Sequence, residues 1–217
     1  DDFINWFHAV TPYIHAHRGK TLVIACPGEA FVANRFMTLA YDLNLLASLG
    51  IRIVMVHGAR PQIEARLKEA DIHTAYHAGI RVTHAAAMSS IKRAIGELRI
   101  DIEARLSIGL TDTRKQNAVL RVTGGNYLTA RPIGVVNGID YQYAGVVRKV
   151  DTEAIRVALD HAHVVLVSPI GYSPSGEVFN LLYEEAAARI ASALRAEKLI
   201  CLLSDVALTP LPADGEY

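Results

Sequence analysis

Apolar residues recur along the chain with two periods, and the switches between them mark out its elements. Phe3, Trp6, Phe7, Val10 and Ile14 stand three or four positions apart, one stripe of an amphipathic helix over 3–14. Pro12 falls inside that stripe, where its missing N–H and its ring bend or interrupt a helix. A helix ahead of the first strand is tied to the fold only by packing, so the stripe either lids its own core or serves a neighbouring molecule. After Gly19 the pattern changes. Residues 21–26 (TLVIAC) are wholly apolar apart from the opening threonine, as in a strand buried on both faces. Residues 30–49 have helical periodicity that stops at Gly50, 51–56 (IRIVMV) form a second strand, and a helix opens at Pro61. A short extended piece over 80–83 precedes a long helix over 85–107.

Beyond it, 118–122, 127–130 and 142–150 are strands or hairpins separated by Gly124-Gly125 and Asn137-Gly138. Asp151 is the expected N-cap of a helix over 152–161. A buried strand over 164–168, a turn over 171–176, an alanine-rich helix over 184–196 and a last strand over 199–203 complete the pattern. Strands alternating with helices predict one α/β domain, a three-layer sandwich whose mostly parallel central sheet is covered on both faces.

Composition narrows the classes. Of the 217 residues 51% are apolar and 20% charged, enough for a sizeable core, which excludes wholesale disorder. Twenty-two basic residues balance 22 acidic ones, so net charge gives no reason to expect nucleic acid or an anionic membrane as partner. Apolar runs such as 164–167 fall far short of the roughly 18 residues of a membrane helix, and the charged first twenty residues do not resemble a secretory signal. Cys26 and Cys201 each lie in an apolar run and are expected as buried thiols of a cytoplasmic protein. The last residues, 209–217 (TPLPADGEY), end on an Asp214-Gly215 turn signal with no returning element, as in the front part of a longer protein.

Ligands of open parallel sheets bind outside the carboxyl ends of the strands. Three loops occupy such places: Cys26-Pro27-Gly28-Glu29, His57-Gly58-Ala59-Arg60-Pro61, and residues 169–176 leading through Phe179-Asn180 into a helix. Glycines there let backbone amides approach a ligand, and the helix N-termini behind them favour anions. None carries a Walker or G-x-G-x-x-G sequence, and each taken singly is equally a tight strand-to-helix turn. Arg60, Arg81 and Asn180 stand beside these turns, where an arginine can grip a carboxylate bidentately, though surface arginines are common. The nine histidines place no metal-binding pair on a predicted helix. Ser168 lacks the G-x-S-x-G elbow of a serine hydrolase, and no acidic pair suits acid/base catalysis. The residues alone describe a ligand-binding α/β domain with an incomplete catalytic set.

The ordered motifs TLVIACPGEA, GIRIVMVHGARPQIE, AGIRVTH, YAGVVRKVD, VVLVSPIGYSPSGEVFNLLYEEAA and AEKLICLLSD resemble the amino acid kinase (carbamate kinase-like) fold, and within it the acetylglutamate branch. PYIHAHRGKT, HGARPQI and IDIEARLSIGL bring the chain nearest to the N-acetylglutamate synthases. The kinases of the branch carry a lysine in the first strand that stabilises charge during phosphoryl transfer; here that position is Ala25. Their triple-glycine turn is Gly58-Ala59-Arg60, and the aspartate-bearing N-x-N-A-D motif is Asn180-Leu181-Leu182-Tyr183-Glu184. Arg81 and Asn180, which hold acetylglutamate in the kinases, persist.

The resemblance therefore implies a vestigial substrate pocket at Gly28, Gly58, Arg60, Arg81 and Asn180 with phosphoryl transfer lost, and no cofactor or metal in this domain. It further implies that residues 1–18 form an N-terminal helix for oligomer and effector contact. Residues 19–217 would form a kinase-like domain cut short at its C-terminal end, with an acetyltransferase domain that uses acetyl-CoA and glutamate absent. L-arginine would bind as allosteric effector near Tyr13 and Lys198, with Ser48 and Arg52 in the supporting structure, and dimers would assemble into a hexamer. An acetylglutamate kinase and a free-standing arginine sensor are the alternatives.

Overall fold

The structure, a computed structural model, describes residues 2–31, 33–107 and 120–203. Helix α1 (Asp2–His17) leads into β1 (Thr21–Cys26), and a short 3-10 turn over Gly28–Phe31 precedes α2 (Ala33–Ser48). Next come β2 (Arg52–His57), α3 (Arg60–Glu69), a hairpin of β3 (Tyr76–His77) and β4 (Ile80–Arg81), and α4 (Ala85–Leu106). Five strands follow: β5 (Val122–Gly124), β6 (Leu128–Pro132), β7 (Val135–Val136), β8 (Ile139–Asp140) and β9 (Gly145–Val150). The chain continues through α5 (Thr152–His161), β10 (Val164–Val167), β11 (Ile170–Tyr172), β12 (Val178–Asn180), α6 (Tyr183–Leu194) and β13 (Lys198–Cys201).

The central sheet has the order β13-β1-β2-β10-β5, and every pairing in it is parallel. Its strands are apolar throughout because successive side chains enter two different cores. Leu22, Ile24, Ile53, Met55, Val164 and Leu166 pack with Phe36, Leu43, Ile63, Ile91 and Ile95 from α2, α3 and α4. Val23, Ala25, Val54, Val56, Val165 and Val167 pack on the other face with Ile155, Ile190 and residues of a second sheet. That second sheet, β12-β11-β6-β9, is mixed, with antiparallel pairs at both ends. The result is the expected mixed α/β sandwich around a parallel sheet. Each fully buried aliphatic side chain contributes about 1.5–3 kcal/mol.

Several boundaries differ from the sequence expectation, for local reasons. Helix α1 runs through Pro12 to His17. Proline forfeits one intrahelical hydrogen bond, and on a helix whose Ile4 and Tyr13 are exposed, water can solvate the freed carbonyl. The side chains of Phe3, Trp6, Phe7 and Val10 lie outside the described residues, as do Ala118 and 209–217. No element of the described chain packs extensively against α1. The segment 142–150 becomes a strand only from Gly145, because Gln142 takes a left-handed backbone (φ 50°) that cannot continue a ladder. The turn expected over 171–176 is the tip of the β11–β12 hairpin, closed by Gly176 N–H donating to the Ser173 carbonyl at 3.0 Å.

Cys26 is buried, and burial pushes its thiol up to about 12. Cys201 is exposed, contrary to expectation, because β13 is an edge strand whose outer side has no neighbour among the described residues. Among those residues no helix is long and apolar enough to cross a membrane.

Candidate functional site

A cavity of about 330 Å³ opens at the carboxyl edge of the central sheet. The turn after β2, the β3–β4 hairpin, β9, β12 and the start of α6 enclose it, bringing together Gly58, Arg60, Arg81 and Asn180, four of the five residues expected there. Gly58 is a glycine for a steric reason. A Cβ at that position would lie 2.9 Å from Cδ1 of Tyr183 and 3.1 Å from the backbone nitrogen of Gly28. Gly28, the fifth, is not among the lining residues. It sits one layer behind, where a Cβ would meet Gln62 Oε1 and Pro61 Cδ at 2.7 Å each, and its carbonyl accepts a hydrogen bond from Gln62 Nε2 at 2.9 Å. Gly28 therefore ties the first turn to α3 rather than facing a ligand.

The two arginines of the cavity are in different states. Arg81 is buried and spends its guanidinium internally: Nη1 donates to Thr74 Oγ1 at 2.7 Å, and Nη2 donates to Glu64 Oε1 at 2.6 Å and to the Tyr76 hydroxyl. Partial burial of the Glu64 carboxyl is outweighed by the hydrogen bonds from Arg81 and Tyr76, which hold it below the ordinary carboxylate range. Burial, and then the Glu64 hydrogen bond, push the Tyr76 phenol up. Arg60 is exposed and makes no salt bridge within 4.0 Å among the described residues. Its Cζ lies 4.8 Å from the centroid of the Tyr76 ring, against 4.5 Å for that of Arg81. Asn180 Nδ2 donates to Thr83 Oγ1 at 3.2 Å, and Thr83 Oγ1 donates to the Arg81 carbonyl at 3.2 Å. Helices α3 and α6 both open at the cavity without a side-chain cap, so the first N–H groups of α6, and those of α3 apart from Pro61, which has none, are available to an acceptor.

Sequence reasoning missed Tyr76 and Glu64. Tyr76 lies in a non-periodic polar stretch, and Glu64 lies on a helix of charged residues where one carboxylate looks like any other. It also missed the partnership of His57 with Ser168. The imidazole is fully buried at the end of β2, its Nδ1 3.1 Å from the Gly58 carbonyl and its Nε2 2.9 Å from Ser168 Oγ. An Nδ1–H that donates to Gly58 leaves Nε2 to accept from the Ser168 hydroxyl, which defines the neutral tautomer. Burial, more than the nearby Arg99 charge, lowers the His57 pKa to about 4 against the opposing pull of the Gly58 carbonyl.

The four residues expected near an effector lie at the opposite end of the sheet. Tyr13 stands one turn before α1 ends, Ser48 closes α2, Arg52 opens β2 and Lys198 opens β13. Lys198 pairs with Leu22 and Arg52 with Thr21, so both stand at the amino edge, flanking β1. Their side chains diverge. Arg52 reaches Asp160 and, at 3.4 Å, the Arg156 carbonyl on α5, whereas Lys198 shares the sheet face of its register partner Leu22. The Ser48 hydroxyl is engaged by the Leu45 carbonyl at 2.7 Å. Tyr13 is exposed.

An all-parallel open sheet with a cavity at its carboxyl edge defines an α/β domain of the small-molecule-binding class. Residues 20–207 match the model of the amino acid kinase family, and the chain belongs to that family. It is 50% identical over 199 residues to an amino-acid acetyltransferase of Pseudomonas aeruginosa, covering 92% of this chain and 46% of that protein. It is 47% identical over 207 residues to one of Pseudomonas fluorescens, covering 95% of this chain and 48% of the relative. The N-acetylglutamate synthase of Neisseria gonorrhoeae, in complex with coenzyme A and L-arginine, superposes with a TM-score of 0.88 at 38% identity. That match covers 97% of this chain and 50% of the other. The chain thus spans about half the length of the relatives it matches.

Proposed function

We propose that this chain is the kinase-like regulatory domain of an N-acetylglutamate synthase, an enzyme that transfers acetyl from acetyl-CoA to L-glutamate in the first step of arginine biosynthesis. The observation that carries the reading is the 38% identity and TM-score of 0.88 to a synthase bound to coenzyme A and L-arginine, over nearly the whole of this chain. Acetyl transfer resides in a further domain. The chain itself binds L-arginine and builds a homo-oligomer, dimers joined into a hexamer in the cytoplasm.

The site geometry supports loss of phosphoryl transfer. Ala25 is 1% exposed and packed among valines, so the first strand presents no cation at the carboxyl edge. Ala59 and Arg60 put side chains in the turn where phosphates would need close backbone approach. For the effector, a lysine ammonium suits a carboxylate, and exposed Lys198 at the amino edge is the group assigned that role, together with exposed Tyr13 of α1. Ser48 and Arg52, engaged within the fold, support that edge.

The test uses the full-length gene product. Thiol release from acetyl-CoA that requires glutamate and changes with L-arginine is the expected result. Formation of ADP from ATP with N-acetylglutamate, and no thiol release, would show a kinase instead. Arginine binding without either activity would show a free-standing sensor.

A further inference from the structure

We propose that His84 is a pH-sensitive cap: the neutral imidazole closes the first turn of α4, and protonation releases it. N-cap positions favour asparagine, aspartate, serine and threonine, whose side-chain oxygens remain acceptors across the physiological range. Here a histidine holds the place, the side chain whose charge ordinarily changes between about pH 5 and 8. Its backbone is extended (φ −82°, ψ 166°), as a cap requires. Its Nδ1 lies 3.3 Å from the Ala87 nitrogen, and its Nε2 lies 3.2 Å from the His73 carbonyl oxygen. A carbonyl can only accept, so Nε2 carries the hydrogen and Nδ1 keeps the lone pair that takes the Ala87 N–H. The two contacts thus fix one tautomer. A second proton can enter only at Nδ1, where it turns the acceptor into a donor aimed at another donor. The charged ring also stands at the positive end of the α4 dipole.

The segments around the ring offer no carboxylate to hold that charge. Helix α4 opens on three alanines, has no acid in its first turn, and meets its first charged residue at Lys92. On the loop that supplies the His73 carbonyl, Asp71 and His73 form their own exposed pair at 3.7 Å. Arg81 of β4 is held by Glu64 of α3, and Arg66 of α3 by Glu69 and by Glu97. His77 of β3 is exposed, and Asp140 of β8 accepts the Gln142 N–H at 3.0 Å. Release of the cap is local. The body of the 22-residue helix stays anchored through Ile91, Ile95 and Leu98 in the core. Ahead of the cap, Thr83 is tied separately, its carbonyl accepting the Tyr143 N–H at 2.9 Å.

The experiment follows amide hydrogen exchange of the full-length protein by mass spectrometry at about pH 7.5 and about pH 5.5, as protection relative to the intrinsic rate at each pH. On acidification, wild-type protection over residues 85–88 should fall about fivefold further than in His84→Asn, whose acceptor does not titrate; that factor is the worth of one cap. Over residues 94–102 the two proteins should change alike. At the higher pH, His84→Ala should already be about fivefold less protected over 85–88 than the wild type. Equal falls over 85–88 in the wild type and His84→Asn would overturn the proposal. Full protection of that turn in His84→Ala, or a wild-type difference that extends equally over 94–102, would overturn it as well.

Discussion

At the residue scale, the pairing of His57 with Ser168 left no mark in the local sequence. His57 follows an apolar strand and looks like any residue entering a turn, yet it is fully buried between the Gly58 carbonyl and Ser168. Its partner lies 111 positions away, and nothing local in either segment announces the pairing. The consequence is pH-dependent stability. In the unfolded chain the imidazole takes its proton near 6.5, in the folded chain only near about 4. Between those values the unfolded state alone gains a proton, so stability is complete above pH 6.5 and declines as the pH falls towards 4, by about 3 kcal/mol. Urea unfolding at pH 7 and pH 5 should show that decline in the wild type, and less of it in His57→Asn; equal slopes in the two would remove His57 as its source. Gly58, by contrast, was legible as a ligand-loop glycine, but the reason is packing against Tyr183. Gly58→Ala should therefore cost about 1–3 kcal/mol, read as a lower denaturation midpoint.

Elements with an unambiguous period were legible almost to the residue. Thr21–Cys26 and Thr152–His161 emerge as expected, the first from an apolar run and the second from its cap. Asp151 accepts the Ala154 N–H at 3.0 Å, one of the donors a helix start leaves unsatisfied. Asp151→Ala should destabilise the domain by about 1 kcal/mol, and Asp151→Asn, which keeps the acceptor, by much less; circular dichroism melts of the pair separate a cap from a surface charge. The second sheet was harder. Strands of two or three residues carry too few positions to display alternation, and Val135 and Val136 are both exposed, so β7 has no buried face to betray it. The cavity was half legible for a related reason. Glycine and arginine mark a turn, but which arginine is neutralised depends on Glu64 from α3 and on Tyr76 from a two-residue strand, long-range facts that no local pattern holds.

At the scale of the molecule, the sheet presents two edges about one strand length apart. The carboxyl edge carries the cavity, and the amino edge carries Tyr13, Ser48, Arg52 and Lys198. Just after α1, Gly19 N–H donates to the Gly50 carbonyl at 2.8 Å. Helix α1 contributes no described residue to either core. On the proposed reading, the apolar stripe of residues 3–14 meets another subunit rather than its own domain. Removing residues 1–18 from the full-length protein should therefore leave the melting temperature within a few degrees of the wild type while lowering the mass in solution. On the proposed regulatory reading it should also weaken the response of glutamate-dependent thiol release to L-arginine, because an effector shifts an equilibrium only by binding its two arrangements unequally, and on that reading the subunit contact distinguishes them. Light scattering and the release assay on one preparation suffice. An unchanged mass with a collapsed melting temperature would show instead that α1 lids its own domain, and the regulatory contact would then have to be sought at another face.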